Sequence, residues 1–171
     1  MTRELFRKYI SQLERDVIEL GNMCIAAIEQ SVEALKRQDV VSAKKIVEGD
    51  IYIDNKRWEI EDKCISIIAL QQPVASDLRE IVAIVSIVAD LERIGDYAEG
   101  IAKIVIMIDD KPLAKVLDNI PKMTQKGIDM LYRSLKAFID RDAEVARKIS
   151  DEDDEVDTLH DKAYHTLLQC M

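Results

Sequence analysis

Shifting the chain by 103 positions superposes residues 31–54 on 134–157, and eight of the 24 paired positions are then identical. The pairs are Ser31/Ser134, Ala34/Ala137, Asp39/Asp142, Ala43/Ala146, Lys45/Lys148, Ile46/Ile149, Asp50/Asp153 and Asp54/Asp157. Upstream, Val17/Ile120 and Leu20/Met123 keep apolar character. A repeat of this kind requires one structural unit to be built twice, so each reading made in one half constrains the other. Asp39 and Asp142 are both placed as helix N-caps, because a short carboxylate there accepts the orphan N–H groups of a first turn.

The repeating unit is helical. Only 5 glycines and 3 prolines occur in 171 residues, and 48% of the chain is hydrophobic, enough for real cores. Phe6, Leu13, Val17, Leu20, Cys24, Ala27, Ser31 and Ala34 recur at mostly three- and four-residue steps, the stripe of a packed helix; Ile46, Ile53, Ile60, Cys64 and Ile67 do the same. The pattern predicts helices over 2–37, 40–70, 73–108, 115–140 and 143–171, with Pro73 in the first turn of the third. Asp109-Asp110-Lys111-Pro112 reads as a linker, separating a first three-helix repeat over 1–110 from a second over 111–171. The fold class expected is all-α: duplicated antiparallel three-helix bundles, the second lacking its last helix, since the counterpart of Gln71 would fall at 71 + 103 = 174. The chain is then a fragment of a longer protein or borrows a helix. Leu131, Leu135, Phe138, Val145, Ile149 and Val156 are left without a third partner, which predicts either pairing of two copies through helices four and five or poor order there.

Charge and composition exclude several function classes. The balance of 24 − 33 = −9 repels the phosphate backbone of nucleic acid. The start, Met1-Thr-Arg-Glu-Leu-Phe-Arg-Lys, lacks the apolar core of a secretory signal, so a cytosolic location is expected. The run over 81–89 is too short for a bilayer, which needs ~20 apolar residues. Cys24, Cys64 and Cys170 form no CxxC pair and read as buried free thiols. No phosphate-binding glycine loop, GxSxG or histidine-rich zinc motif occurs, so the chain reads as a non-enzyme with no catalytic residues.

The carboxylates carry the candidate chemistry. At about 100° per residue, Glu92, Asp96, Glu99 and Lys103 share one face of the third helix, and Asp50, Asp54 and Glu61 share one face of the second. Antiparallel neighbours bring the two acidic stripes together, and like charges so placed repel unless compensated. Hard cations such as Mg, Mn or Fe suit an all-carboxylate array; a solvated face relieved by Arg57, Arg93 and Lys103 is the alternative. A ferritin-like di-metal oxidase needs two Glu-x-x-His units, and only Asp157-Thr-Leu-His160 approximates one, its repeat counterpart ending in Arg57.

Residues 70–103, LQQPVASDLREIVAIVSIVADLERIGDYAEGIAK, resemble the signature of the PhoU family in their QPVASDLR opening (72–79) and DLERIGD core (90–96). The resemblance covers all of 1–171 and implies a phosphate uptake regulator. Such a protein is a cytoplasmic accessory to the phosphate-specific ABC transporter that represses uptake and phosphate-starvation signalling. It also implies partners, namely the transporter's ATPase subunit and a sensor histidine kinase. It carries the family's metal pairs onto Glu92/Asp96, Asp50/Asp54 and Asp153/Asp157, with Glu99 beside them, for Fe, Zn, Mn or Mg. With the unpartnered apolar face, a homodimer is expected. A helical adaptor without functional metal is the alternative.

Overall fold

In the computed structural model, residues 3–108 and 119–170 are described, and among them helices joined by short turns are the only regular structure. The helices are α1 (Arg3–Arg37), α2 (Val40–Gln71), α3 (Ser76–Ile108), α4 (Ile120–Asp140), α5 (Ala143–Asp151) and α6 (Asp153–Cys170). The expected linker at 109–112 and the start of the fourth helix at 115 lie outside the described residues.

The duplication is visible at atomic detail in two turns. After α1, Gln38 takes φ 52°, and after α4 its counterpart Arg141 takes φ 55°. In both turns the next N–H reaches back five residues, Asp39 to the Ala34 carbonyl and Asp142 to the Ala137 carbonyl, each at 2.9 Å. This left-handed closure satisfies the last carbonyls of the helix. Each aspartate then caps the following helix: Asp39 Oδ1 accepts from Val41 N at 3.1 Å and Ser42 N at 3.0 Å, and Asp142 Oδ1 accepts from Glu144 N and Val145 N at the same distances.

Two expected boundaries are corrected. Pro73 lies outside α3, which begins at Ser76. Gln72 turns left-handed at φ 47° and closes α2 on the Ile68 carbonyl; proline offers no N–H to extend that helix, and Ala75 makes a second left-handed turn at φ 49° before α3 starts. The fifth helix is two helices, interrupted at Glu152. Residues 151–155 are five acids in succession. Repulsion from the negative helix end ends α5, and the break places Asp153, Asp154 and Glu155 in the favourable first turn of α6. Arg133 of α4 holds Glu152 at 2.9 Å.

α1, α2 and α3 form an antiparallel bundle around Leu13, Val17, Leu20, Ile60, Ile84 and Val88, all withdrawn from solvent. Asp16 is buried beside this core. Burial opposes its charge, but the ammonium of Lys63 at 2.8 Å, the Gln12 amide at 3.1 Å and the nearby Lys56 outweigh it and hold the carboxyl below its ordinary range. α4 lies against α1, and its Leu135 belongs to the first unit's core. Gly21 makes the room: a β-carbon there would sit 2.4 Å from Leu135 Cδ1.

The two repeats differ where α3 is concerned. Ser31 and Ala43 are fully buried, Ala43 packing with Ala102 and Val105 of α3, whereas Ser134 and Ala146 are exposed and line an open cleft of ≈620 Å³. Leu135 is the main apolar anchor of α4 on the first unit. Leu135→Ala is expected to cost about 2–4 kcal/mol in urea denaturation and to loosen α4–α6 first. Amide exchange checks the order of loss: uniform weakening of all six helices would contradict that anchoring role.

Candidate metal centre

Asp50 and Asp54 lie one turn apart on α2, and Asp96 reaches them from α3. One carboxylate oxygen from each lies within 4.8 Å of the other two; Asp50 and Asp54 are half-buried and Asp96 is exposed. The convergence depends on Gly95. A β-carbon at that position would stand 3.0 Å and 3.1 Å from Ile53 side-chain carbons and 3.5 Å from Asp50 Oδ1. Its absence lets α2 and α3 close on each other, and the aspartates on either side of the seam are carried together.

Electrostatics record the crowding. Burial is the largest cause that pushes the Asp50 carboxyl up to about 6, followed by the charges of Asp54, Glu99, Asp96 and Glu92. Behind it, α1 presents the Cys24 thiol, which donates to the Leu91 carbonyl at 3.1 Å; burial first, and the Asp50 and Glu92 charges after it, push that thiol up to about 12. Cys24 is therefore protonated in the metal-free protein, and it is not one of the three mutually close donors. Cys64 is likewise a buried free thiol, pushed up to about 11 by burial.

The seven carboxylates expected from sequence divide into groups. Asp50, Asp54 and Asp96 come together. Glu92 accepts from Arg57 Nη1 at 2.8 Å, while Arg57 Nε donates to Glu61 at 2.9 Å. Glu99 is paired with Lys103 of its own helix at 2.6 Å. Asp153 and Asp157 are exposed on α6 and, among the described residues, join no group of three. His160 is exposed, 3.6 Å from Asp161, and stacks on Tyr164. Gly95 was missed in the sequence reading, although it stands inside the motif at 90–96; its signal was a glycine on the apolar seam of a long helix.

The donor set is oxygen throughout, which fits a hard or borderline divalent cation and not a soft one. A PhoU domain family model matches residues 17–105 and 120–171. The chain belongs to the PhoU family. Among its relatives, a "phosphate-specific transport system accessory protein PhoU homolog" of Clostridium acetobutylicum is 37% identical over 172 aligned positions, covering 100% of this chain and 78% of the relative. A homolog of the same description from Aquifex aeolicus is 39% identical over 160 positions, covering 94% and 71%. The crystal structure of the phosphate transport system regulatory protein PhoU from Streptococcus pneumoniae superposes with a TM-score of 0.90 at 30% identity, covering 97% of this chain and 78% of that one. PhoU from Pseudomonas aeruginosa gives the same TM-score at 28% identity, covering 97% and 80%. The PhoU fold expected from the motif at 70–103 is thus present.

The raised Asp50 carboxyl makes the metal-free protein sensitive to pH. Unfolding returns it to its ordinary value of 3.8 from about 6, so its protonation stabilises the fold at low pH and that contribution is lost as pH rises through about 6. Metal-free protein is expected to melt higher near pH 5 than near pH 7, and Asp50→Asn to flatten the difference. Identical pH profiles for both proteins in calorimetry would contradict the crowding.

Proposed function

We propose that this chain is a metal-dependent regulator of phosphate uptake, acting by contact with the phosphate-specific transport system. Membership of the PhoU family and the accessory role named for its relatives support the transport assignment. The convergence of Asp50, Asp54 and Asp96 carries the metal reading. The three aspartates hold a divalent cation such as Mn, Fe, Zn or Mg, and waters complete its shell. Bound there, the ion neutralises the repulsion across α2 and α3 and offers open coordination positions to a partner's oxygen ligands.

The role is repression of uptake and of starvation signalling when phosphate is plentiful, through the transporter's ATPase subunit and a sensor histidine kinase on the cytoplasmic side. Among the described residues no helix is long and apolar enough to cross a membrane, so the membrane is reached through such partners. The exposed Ser134 and Ala146 cleft and the apolar residues of α4–α6 support pairing of two copies. The chain acts by binding and not by catalysis. An adaptor without functional metal is favoured only by the pairing of Glu92 and Glu99 with basic side chains.

Saturating Mn(II) at about 100 times its dissociation constant is expected to stabilise the protein by ~2.7 kcal/mol by mass action. Asp50→Asn with Asp96→Asn removes the effect. In cells lacking the native gene, the chain restores repression of phosphate uptake and the double variant does not. Equal melting with and without Mn(II) or chelator leaves the adaptor reading; no effect of the chain on phosphate uptake removes the regulatory one.

A further inference from the structure

We propose that the outer face of α2 docks an amphipathic helix of another protein, one with apolar residues a heptad apart and Lys or Arg on both flanks. Such docking goes beyond the regulatory reading above and needs no bound ion.

Ile51, Trp58 and Ile65 are large and apolar, yet they are 52%, 58% and 63% exposed. Steps of seven keep them within about 40° of one another on one helix. Each stands two residues before Ile53, Ile60 or Ile67, the buried stripe of α2, and so on the far side of it. The helix therefore carries two apolar stripes of one period, and the bundle covers only one. Seven-residue spacing is the pattern that a second helix can cover along its length. The antiparallel register fixed by Ile53 against Gly95 and Arg57 against Glu92 brings Ile65 level with the exposed Val82 and half-buried Val85 of α3, which widens the patch at that end.

Trp58 is preset for such a contact. Its ring lies against the Arg57 guanidinium, 5.3 Å from the centroid, and that guanidinium is tied to Glu61 at 2.9 Å and Glu92 at 2.8 Å. Stacking on a fixed group orders the indole before a partner arrives, so less side-chain freedom is lost on binding.

Charge decides the occupant. Three positions before the apolar residues stand Glu48, Asn55 and Asp62, and three positions after the first two stand Asp54 and Glu61. These residues form the two edges of the stripe. The bases between positions 51 and 65 are engaged by acids: Arg57 as above, Lys56 with Asp16 and Glu19, and Lys63 with Asp16 and Glu59. Glu48 and Asp62 are exposed and have no basic partner within ion-pair distance among the described residues. Uncompensated carboxylates repel anionic membrane headgroups, and they repel a second copy as well. A two-fold pairing centred on Trp58 would set Asp54 of one copy level with Asp62 of the other, and a parallel pairing would set each acid against itself. A helix with cationic flanks meets both edges favourably.

Trp58 is the chain's single tryptophan, so its fluorescence reads this face directly. With chelator present, the full chain is titrated with a tryptophan-free helical peptide of about three heptads, its leucine stripe flanked by lysines, and with the glutamate-flanked counterpart. The lysine peptide is expected to move the emission to shorter wavelength and to saturate at one per chain; the glutamate peptide does neither. Glu48→Lys with Asp62→Lys is expected to weaken binding at least about tenfold. Asp140→Lys with Glu144→Lys, the same charge change on exposed residues of the second repeat, alters it by less than about threefold. Ile51→Ser with Ile65→Ser leaves the core intact and weakens binding about tenfold. No shift with either peptide, an equal response to both, or equal loss in the two charge variants overturns the proposal. A shift to shorter wavelength when the chain alone is concentrated about a hundredfold gives the face to a second copy and overturns it too. The metal centre stands or falls separately, because no ion is present in these titrations.

Discussion

The close approach of α2 to α3 at Gly95 is the constraint on which the site depends. Ile53 fills the space that a side chain on Gly95 would take. Burying Ile53 there is favourable for the usual reason that apolar surface leaves water, and its helix cannot approach without bringing Asp50 and Asp54 along. The hydrophobic seam therefore drives the acids together against their own repulsion. Charges within 4.8 Å of one another repel by a few kcal/mol per pair at an effective dielectric near 20, and the three aspartates make three such pairs. The opposing drive is a buried seam that includes Ile53, Ile60, Cys64, Ile81, Ile84, Val88 and Leu91.

The same balance explains why the surrounding charges are arranged as they are. Glu92 and Glu99 stand close enough to worsen the crowding, and each has a basic partner, Arg57 for the first and Lys103 for the second. The aspartates have none of these pairings. Asp50 instead takes up a proton more readily, and a divalent cation would relieve all three at once. Between α1 and α2, Asp16 shows the other resolution of buried charge, since Lys63, Lys56 and Gln12 surround it and keep it ionised.

Duplication gives the two halves equal local chemistry and unequal surroundings. Both turns close on a left-handed residue and an aspartate cap, with matching backbone distances. Asp50 and Asp153 are equivalent by repeat, yet Asp50 is half-buried with Asp96 beside it and Asp153 is exposed on α6. A carboxylate pair on one helix becomes a centre only where a second helix presents the third oxygen. In the first unit α3 does so; among the described residues of the second, no helix takes that place.

The parts legible in the sequence are those governed by interactions a few residues apart. Helical stripes at steps of three and four, the caps at Asp39 and Asp142, the repeat itself and the acidic faces of α2 and α3 all follow from local geometry. The resemblance of residues 70–103 to the PhoU signature added the family and the metal pairs. What the tertiary structure alone decided is which acids meet. Seven carboxylates were candidates, and only three converge, because interhelical spacing is set by side-chain volume at one contact, Gly95 against Ile53. The interhelical reach of Arg57 to Glu92, the insertion of Leu135 into the first unit's core and the break of the last helix at Glu152 have a common origin. Each depends on residues distant in sequence or on a competition between helix continuation and charge, and no periodicity along a single helix carries that information.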